Sequence, residues 1–144
     1  MPWIKNPVIY EINTWVWLHA LRQKVYRSIT LGSIPSEEWD AVAAAGADAV
    51  WLMGVWERSP IGTRIARTLP DLQTEYRKAL PDYTLEDVVG SPYCVRRYTV
   101  DEHLGGPQGL ARAREELAKR GMRLILDFVP NHVALDHPWV YEHP

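Results

Sequence analysis

Cysteine is almost absent from this chain: Cys94 stands alone among 144 residues. It cannot form an intrachain disulfide, and no second thiol stands at metal-ligand spacing, so a fold independent of oxidation, working in the cytoplasm, is expected. An excess of charge of either sign is lacking too. Sixteen Lys and Arg face 18 Asp and Glu, for a net charge of −2. Both signs are interspersed, which leaves no clustered basic footprint for nucleic acid or an anionic membrane surface, and neither is expected as a partner. No run approaches the roughly 20 apolar residues that span a bilayer; the longest, Ala41 to Ala47, is mostly alanine. The N-terminal segment breaks its apolar run with Glu11 and Asn13 and so lacks the core of a secretion signal. Internal repeats, low-complexity tracts and Gly/Ser linkers are also missing. By length alone the chain fits one domain of ~100–150 residues.

What is present is an alternation of strand and helix signals. Val8 to Trp17 (VIYEINTWVW) is rich in β-branched and aromatic residues and reads as a first strand running into a loop near Leu18. A helix follows: Pro35 and Ser36 open it, Glu37 and Glu38 suit the positive end of its dipole, Trp39, Val42 and Ala43 form one face, and Gly46 caps it. Ala47 to Met53 (ADAVWLM) is short and apolar, as a strand covered on both faces would be. Between Gly54 and Gly106 lies a long excursion with one short helix, Pro70 to Leu80, in which Leu72, Tyr76 and Leu80 recur every four residues. Excursions of this length are usually functional. A second long helix starts at Gly106 and Pro107 and ends at Gly121, with Leu110, Ala113, Leu117 and Ala118 on one side. Met122 to Val129 (MRLILDFV) reads as a buried third strand, and Pro130 to Pro144 as loop. The β-α-β-α-β order predicts an α/β fold with a parallel sheet and right-handed crossovers.

In parallel α/β folds the ligand site lies at the carboxyl ends of the strands. That rule selects Asp127 to His132 (DFVPNH) and His137 after the third strand, and the rings of Trp56, Tyr93 and Tyr98 after the second. Two kinds of role stand open for most of these. Asp127 is either a site carboxylate or a buried acid that accepts hydrogen bonds from loop amides. Asp127, His132 and His137 could together hold a metal, although their uneven loop spacing is unlike a helical His-x-x-x-His. Trp51 belongs in the core, while Trp56 fits the core and a stacking surface equally. Glu11 and Asp127 could form a carboxylate pair for acid/base work. Cys94 has no placed base and is no nucleophile, and the charged face of the 107–120 helix is a solvated one.

The run RLILDFVPNHVALDHPWV, Arg123 to Val140, resembles the first signature region of the α-amylase family, glycoside hydrolase family 13, in which an apolar third strand ends in Asp-x-x-x-Asn-His. Upstream, GSPYCVRRYTVDEHLGGPQGL, Gly90 to Leu110, resembles the family segment in which a Gly- or Pro-preceded tyrosine leads through an aromatic and an Asp to a glycine before a helix. VIYEINTWVW is similar to the family's first strand and GADAVWLMGVW to its second. The similarity covers nearly the whole chain in order. Two departures stand out: Arg97 occupies a position where the family often has Asp, and Met53-Gly54 stands where Pro is usual.

The resemblance implies the first three β/α units of a (β/α)8 TIM barrel, incomplete, since such a barrel takes ~250 residues. Residues 1–144 would be the N-terminal part of an α-amylase-type catalytic barrel, ending where the inserted domain after the third strand begins. It implies an α-glucan or α-glucoside substrate. Tyr93 would stack under the sugar at the cleavage subsite, His132 would hydrogen-bond its hydroxyls, and Asp127 would be a supporting acid that organises the neighbouring loops. Asn131 corresponds to a calcium ligand in members that bind calcium; no other cofactor is implied. The retaining mechanism needs a nucleophile and a general acid about 5 Å apart, which the family carries on strands absent here. The resemblance therefore places no catalytic residue in this chain, and the 144-residue polypeptide alone is expected to be inactive. Two rival expectations remain: a carbohydrate-binding or assembly module using Trp56 and Tyr93, and a metal-dependent hydrolase using Asp127, His132 and His137. Oligomeric state is left open.

Overall fold

In the computed structural model, which describes residues 3–143, the chain divides into two units, one formed by residues up to Val55 with Thr99–Phe128 and the other by Trp56–Tyr98 with the residues from Val129 on. The first unit carries a three-stranded parallel sheet. Its strands are β1 (Ile9–Asn13), β2 (Ala49–Met53) and β5 (Arg123–Leu126), in the order β1-β2-β5. Ile12 lies beside Leu52, and Leu52 beside Leu126. The expected α/β fold with a parallel sheet is thus present, as three strands and not as a closed barrel.

The central strand is the best covered. Ala49, Val50 and Leu52 of β2 are buried, with Trp51 and Met53 partly so. Strand β5 differs from expectation: it is shorter than Met122 to Val129, and all four of its residues are only half-buried. The apolar run RLIL is that of a core strand, but β5 pairs only with β2 in this sheet, so an edge strand results.

The first strand also ends earlier than its composition suggests. It stops at Asn13, whose side chain accepts a hydrogen bond from the Val16 N–H, and α1 (Thr14–Val25) begins there. The predicted continuation to Trp17 and the loop near Leu18 are therefore corrected to helix. Thr14, Leu18 and Leu21 recur at helical spacing and are the buried residues of α1; that face outweighs the β-propensity of the run TWVW. Helix α2 (Ser36–Ala44) buries Trp39 and Val42, as expected, and Gly46 follows it at φ +81°. Helix α5 (Gly106–Lys119) buries Ala113 and Leu117. Arg120 ties α2 to α5: it donates to Asp40 Oδ1 at 2.6 Å, Ser36 Oγ at 2.6 Å and Glu116 Oε2 at 2.8 Å. Hydrogen bonds from Lys119 and then Arg120 hold the Glu116 carboxyl below its ordinary range.

The second unit holds the excursion. Strands β3 (Trp56–Arg58) and β4 (Val95–Val100) form a two-stranded sheet. Helix α4 (Pro70–Ala79) is the helix the four-residue spacing predicted. Helix α3 (Pro60–Thr68) was not anticipated. Ser59 caps it by accepting from the Gly62 N–H at 2.7 Å, and Pro60 is tolerated in its first turn. Gly62 lies so close to Cys94 that a Cβ would stand 2.8 Å from Sγ, which is why a poor helix former occupies this helix. The stretch expected as loop after residue 130 contains one further helical turn, α6 (Trp139–Glu142).

Candidate substrate-binding site

Asp127 follows directly on β5 in the first unit and is 7% exposed. Its Oδ1 accepts from Trp51 Nε1 at 2.8 Å and its Oδ2 from the Gly54 backbone N–H at 2.6 Å. Trp51 is thus partly buried and committed to Asp127 rather than simply packed in the core. Gly54 adopts φ +80°, a left-handed conformation that glycine tolerates best. The departure from the family's proline therefore has a chemical consequence, since a proline there would have no N–H to donate. A second indole holds the same turn, with Trp15 Nε1 donating to the Gly54 carbonyl at 3.1 Å. Asp127 in this way bonds both to β2, through Trp51, and to the turn that follows it, through Gly54. Glu11, by contrast, is exposed on β1.

In the second unit Tyr93, Asn131 and His132 come together. His132 Nε2 lies 3.1 Å from the Tyr93 carbonyl oxygen, and Asn131 Nδ2 lies 3.3 Å from His132 Nδ1. The Tyr93 side chain is 42% exposed, and its backbone N–H donates to Ser91 Oγ at 3.2 Å. The loop leading to Asn131 is held by Tyr98, whose hydroxyl accepts from the Val129 N–H at 2.9 Å and donates to the Val129 carbonyl at 3.2 Å. Nothing in VRRYTV foretells this clamp, because its partner lies 31 residues away. Trp56 meets Tyr98 edge-on, with ring centroids 5.3 Å apart. Arg97 approaches Glu57 at 4.0 Å, and Arg96 pairs with the same carboxylate at 2.5 Å.

His137 is 6% exposed and structural. Its Nδ1 accepts from the Trp139 N–H at 3.1 Å, at the start of the last helical turn, and its ring meets that of Trp139 edge-on at 5.0 Å. Among the described residues no group of three or more His, Cys, Asp or Glu side chains is placed to hold a metal ion.

The family model described as "Alpha amylase, catalytic domain" matches residues 37–144. This chain belongs to the α-amylase family. A 40-residue stretch is 50% identical to a putative maltooligosyl trehalose synthase of Mycobacterium tuberculosis, covering 28% of this chain and 5% of that protein. Among solved structures, an α-amylase from Lactobacillus plantarum matches 96% of this chain with 26% of its own, at 19% identity and a TM-score of 0.63. An α-amylase from Geobacillus thermoleovorans, complexed with acarbose, matches 95% of this chain with 26% of its own, at 25% identity and a TM-score of 0.55. The chain thus spans about a quarter of these two α-amylase structures and far less of the synthase. The family read from DFVPNH and its upstream segments is the family found.

Proposed function

We propose that this chain supplies part of the sugar-binding surface of an α-amylase-type retaining glycosidase or transglycosylase acting on α-glucans or α-glucosides. The observation that carries the reading is the assembly of Tyr93, Asn131 and His132 in one unit, through the 3.1 Å and 3.3 Å contacts of the His132 ring. A half-exposed tyrosine ring offers the flat apolar face on which a pyranose stacks, and its surroundings supply directional polar groups. Retaining chemistry needs two carboxyl groups about 5 Å apart, one to protonate the glycosidic oxygen and one to attack the anomeric carbon. Asp127, 7% exposed and engaged by Trp51 Nε1 and the Gly54 N–H, is read as a supporting acid outside that pair. On this reading the 144-residue polypeptide on its own is expected to bind sugar without cleaving it.

Titration of the full chain with maltotriose tests this. Saturable quenching of tryptophan fluorescence is expected, with no release of glucose or maltose on prolonged incubation. Turnover by the pure chain would overturn the assignment of no catalytic carboxylate, and absence of any saturable signal would remove the carbohydrate reading. The rival with Trp56 and Tyr93 as a double platform is less well supported, since the Trp56 ring is engaged edge-on by Tyr98.

A further inference from the structure

Arg22 of α1 is a half-buried cation that no carboxylate answers. Its Nε donates to the Ile29 carbonyl at 2.9 Å and its Nη2 to the His103 carbonyl at 3.4 Å, and it makes no ion pair among the described residues. Backbone carbonyls orient a guanidinium without cancelling its charge, and they leave the rest of its five N–H donors unused. The same side chain lines a cavity of about 610 Å3 within the sheet-bearing unit, together with Gln23, Arg27, Ser28 and the rings of Trp15 and His103. No Asp or Glu lines it, and the side chains of Gln23, Arg27 and Ser28 have no hydrogen-bond partner among the described residues. Asp101 is turned to His103, accepting from its N–H at 2.9 Å and meeting its Nδ1 at 2.8 Å.

The cavity also stands where parallel α/β folds bind ligands, outside the carboxyl ends of the strands. Trp15 follows closely on β1 and donates to the carbonyl of Gly54, the residue directly after β2, while His103 lies just ahead of α5. Tyr26 closes α1 at φ +53°, a conformation that bulky residues avoid, and the turn it makes carries Arg27 and Ser28 to the cavity. We propose that this cavity binds a phosphate group, inorganic or carried as a monoester on a sugar, with Arg22 and Arg27 as its cationic clamps and the Ser28 hydroxyl and Gln23 amide as neutral donors. Guanidinium forks match the oxygens of a phosphate, and Arg22 is already oriented by its two carbonyls, so little freedom is lost on binding. The volume lies in the range of small-ligand sites. None of these residues is Tyr93, Asn131 or His132, and the phosphate site does not rest on the carbohydrate reading above.

Titration of the isotope-labelled full chain with inorganic phosphate, glucose 6-phosphate and glucose, followed through the arginine Nε–H signals, tests this. It is done at physiological ionic strength, where long-range charge effects are screened. Both phosphates are expected to move the Arg22 and Arg27 signals saturably, and glucose to leave them in place. Tighter binding of glucose 6-phosphate than of phosphate identifies a sugar ester as the ligand, and equal affinity identifies free phosphate. No saturable shift with either anion, or an equal shift with glucose, overturns the proposal. Arg27→Gln, at an exposed position that leaves the partners of Arg22 in place, should weaken phosphate binding about tenfold. Lys24→Gln is the control, because Lys24 lies on the same helix, does not line the cavity and pairs with Glu38. It should leave the affinity unchanged; weakening equal to that of Arg27→Gln would mean that the anions follow diffuse surface charge, and would overturn the site.

Discussion

Within each of the two units of this chain, a different kind of interaction holds the segments in place. In the sheet-bearing unit the buried side chains are almost all apolar, among them Leu18, Ile29, Leu31, Trp39, Val50, Leu52, Leu104 and Leu117. In the other unit the described buried residues are few, and polar Ser59 and His137 stand among Val88, Val95 and Ala134. There the segments are joined by side chains that reach a distant backbone. Arg58 donates to the Gly90 carbonyl at 2.7 Å, Arg67 to that of Val88 at 3.0 Å and Thr63 to that of Val89 at 3.2 Å, while Tyr98 and His132 act on Val129 and Tyr93. Apolar burial is non-directional and tolerates small shifts. A hydrogen bond to a named carbonyl is directional, which suits a region that has to present a ring in one place.

The contrast is broken most severely by a cut in the apolar unit. Trp39 is fully buried and meets the Trp17 ring edge-on at 5.1 Å. Trp39→Ala should cost about 3–5 kcal/mol, read as a fall in the urea midpoint; a cost below about 1 kcal/mol would mean that the apolar core does not carry this unit. A smaller and more local effect is expected from Tyr98→Phe, which removes both hydrogen bonds to Val129 at about 1–2 kcal/mol together. Hydrogen exchange should speed up at the Val129 amide and remain unchanged at Leu52. Equal acceleration at both sites would erase the distinction between the units.

The smallest effect separates charge from packing within the sheet-bearing unit. Because Lys119 and Arg120 lower the folded carboxyl of Glu116, its contribution is present above the unfolded carboxyl value and is lost as pH falls through the lower folded one. Glu116→Gln should therefore lower Tm slightly at neutral pH, with the gap from wild type constant above about pH 5 and closing below about pH 4. A gap that persists in acid would assign the effect to packing instead of charge.

Several elements were legible in the residues because their signals are local. Helix α4 follows from Leu72, Tyr76 and Leu80 at four-residue spacing, and α2 from its two first-turn glutamates and the trailing Gly46. Where local signals conflicted, the reading failed. The run TWVW has strand propensity, yet Asn13 capping and the burial of Leu18 and Leu21 make it helix. Helix α3 was hidden by Gly62, whose reason lies in the Cys94 side chain packed against it. The site was half legible: the order of DFVPNH and its upstream tyrosine pointed to the family, while the contact of His137 Nδ1 with the Trp139 N–H had no signal in the sequence.

The sequence by itself determined the parallel α/β order, the membership of the α-amylase family and the segments from which Tyr93, Asp127, Asn131 and His132 come. Periodicity and motif order are properties of neighbouring residues, and they survive without coordinates. Only the tertiary structure decided that Asp127 serves Trp51 and Gly54, that Tyr98 grips Val129, and that the His132 ring meets the Tyr93 carbonyl. Those partners lie 31 to 76 residues apart, and which donor meets which acceptor is settled by folding in space, where packing brings the two within hydrogen-bond reach.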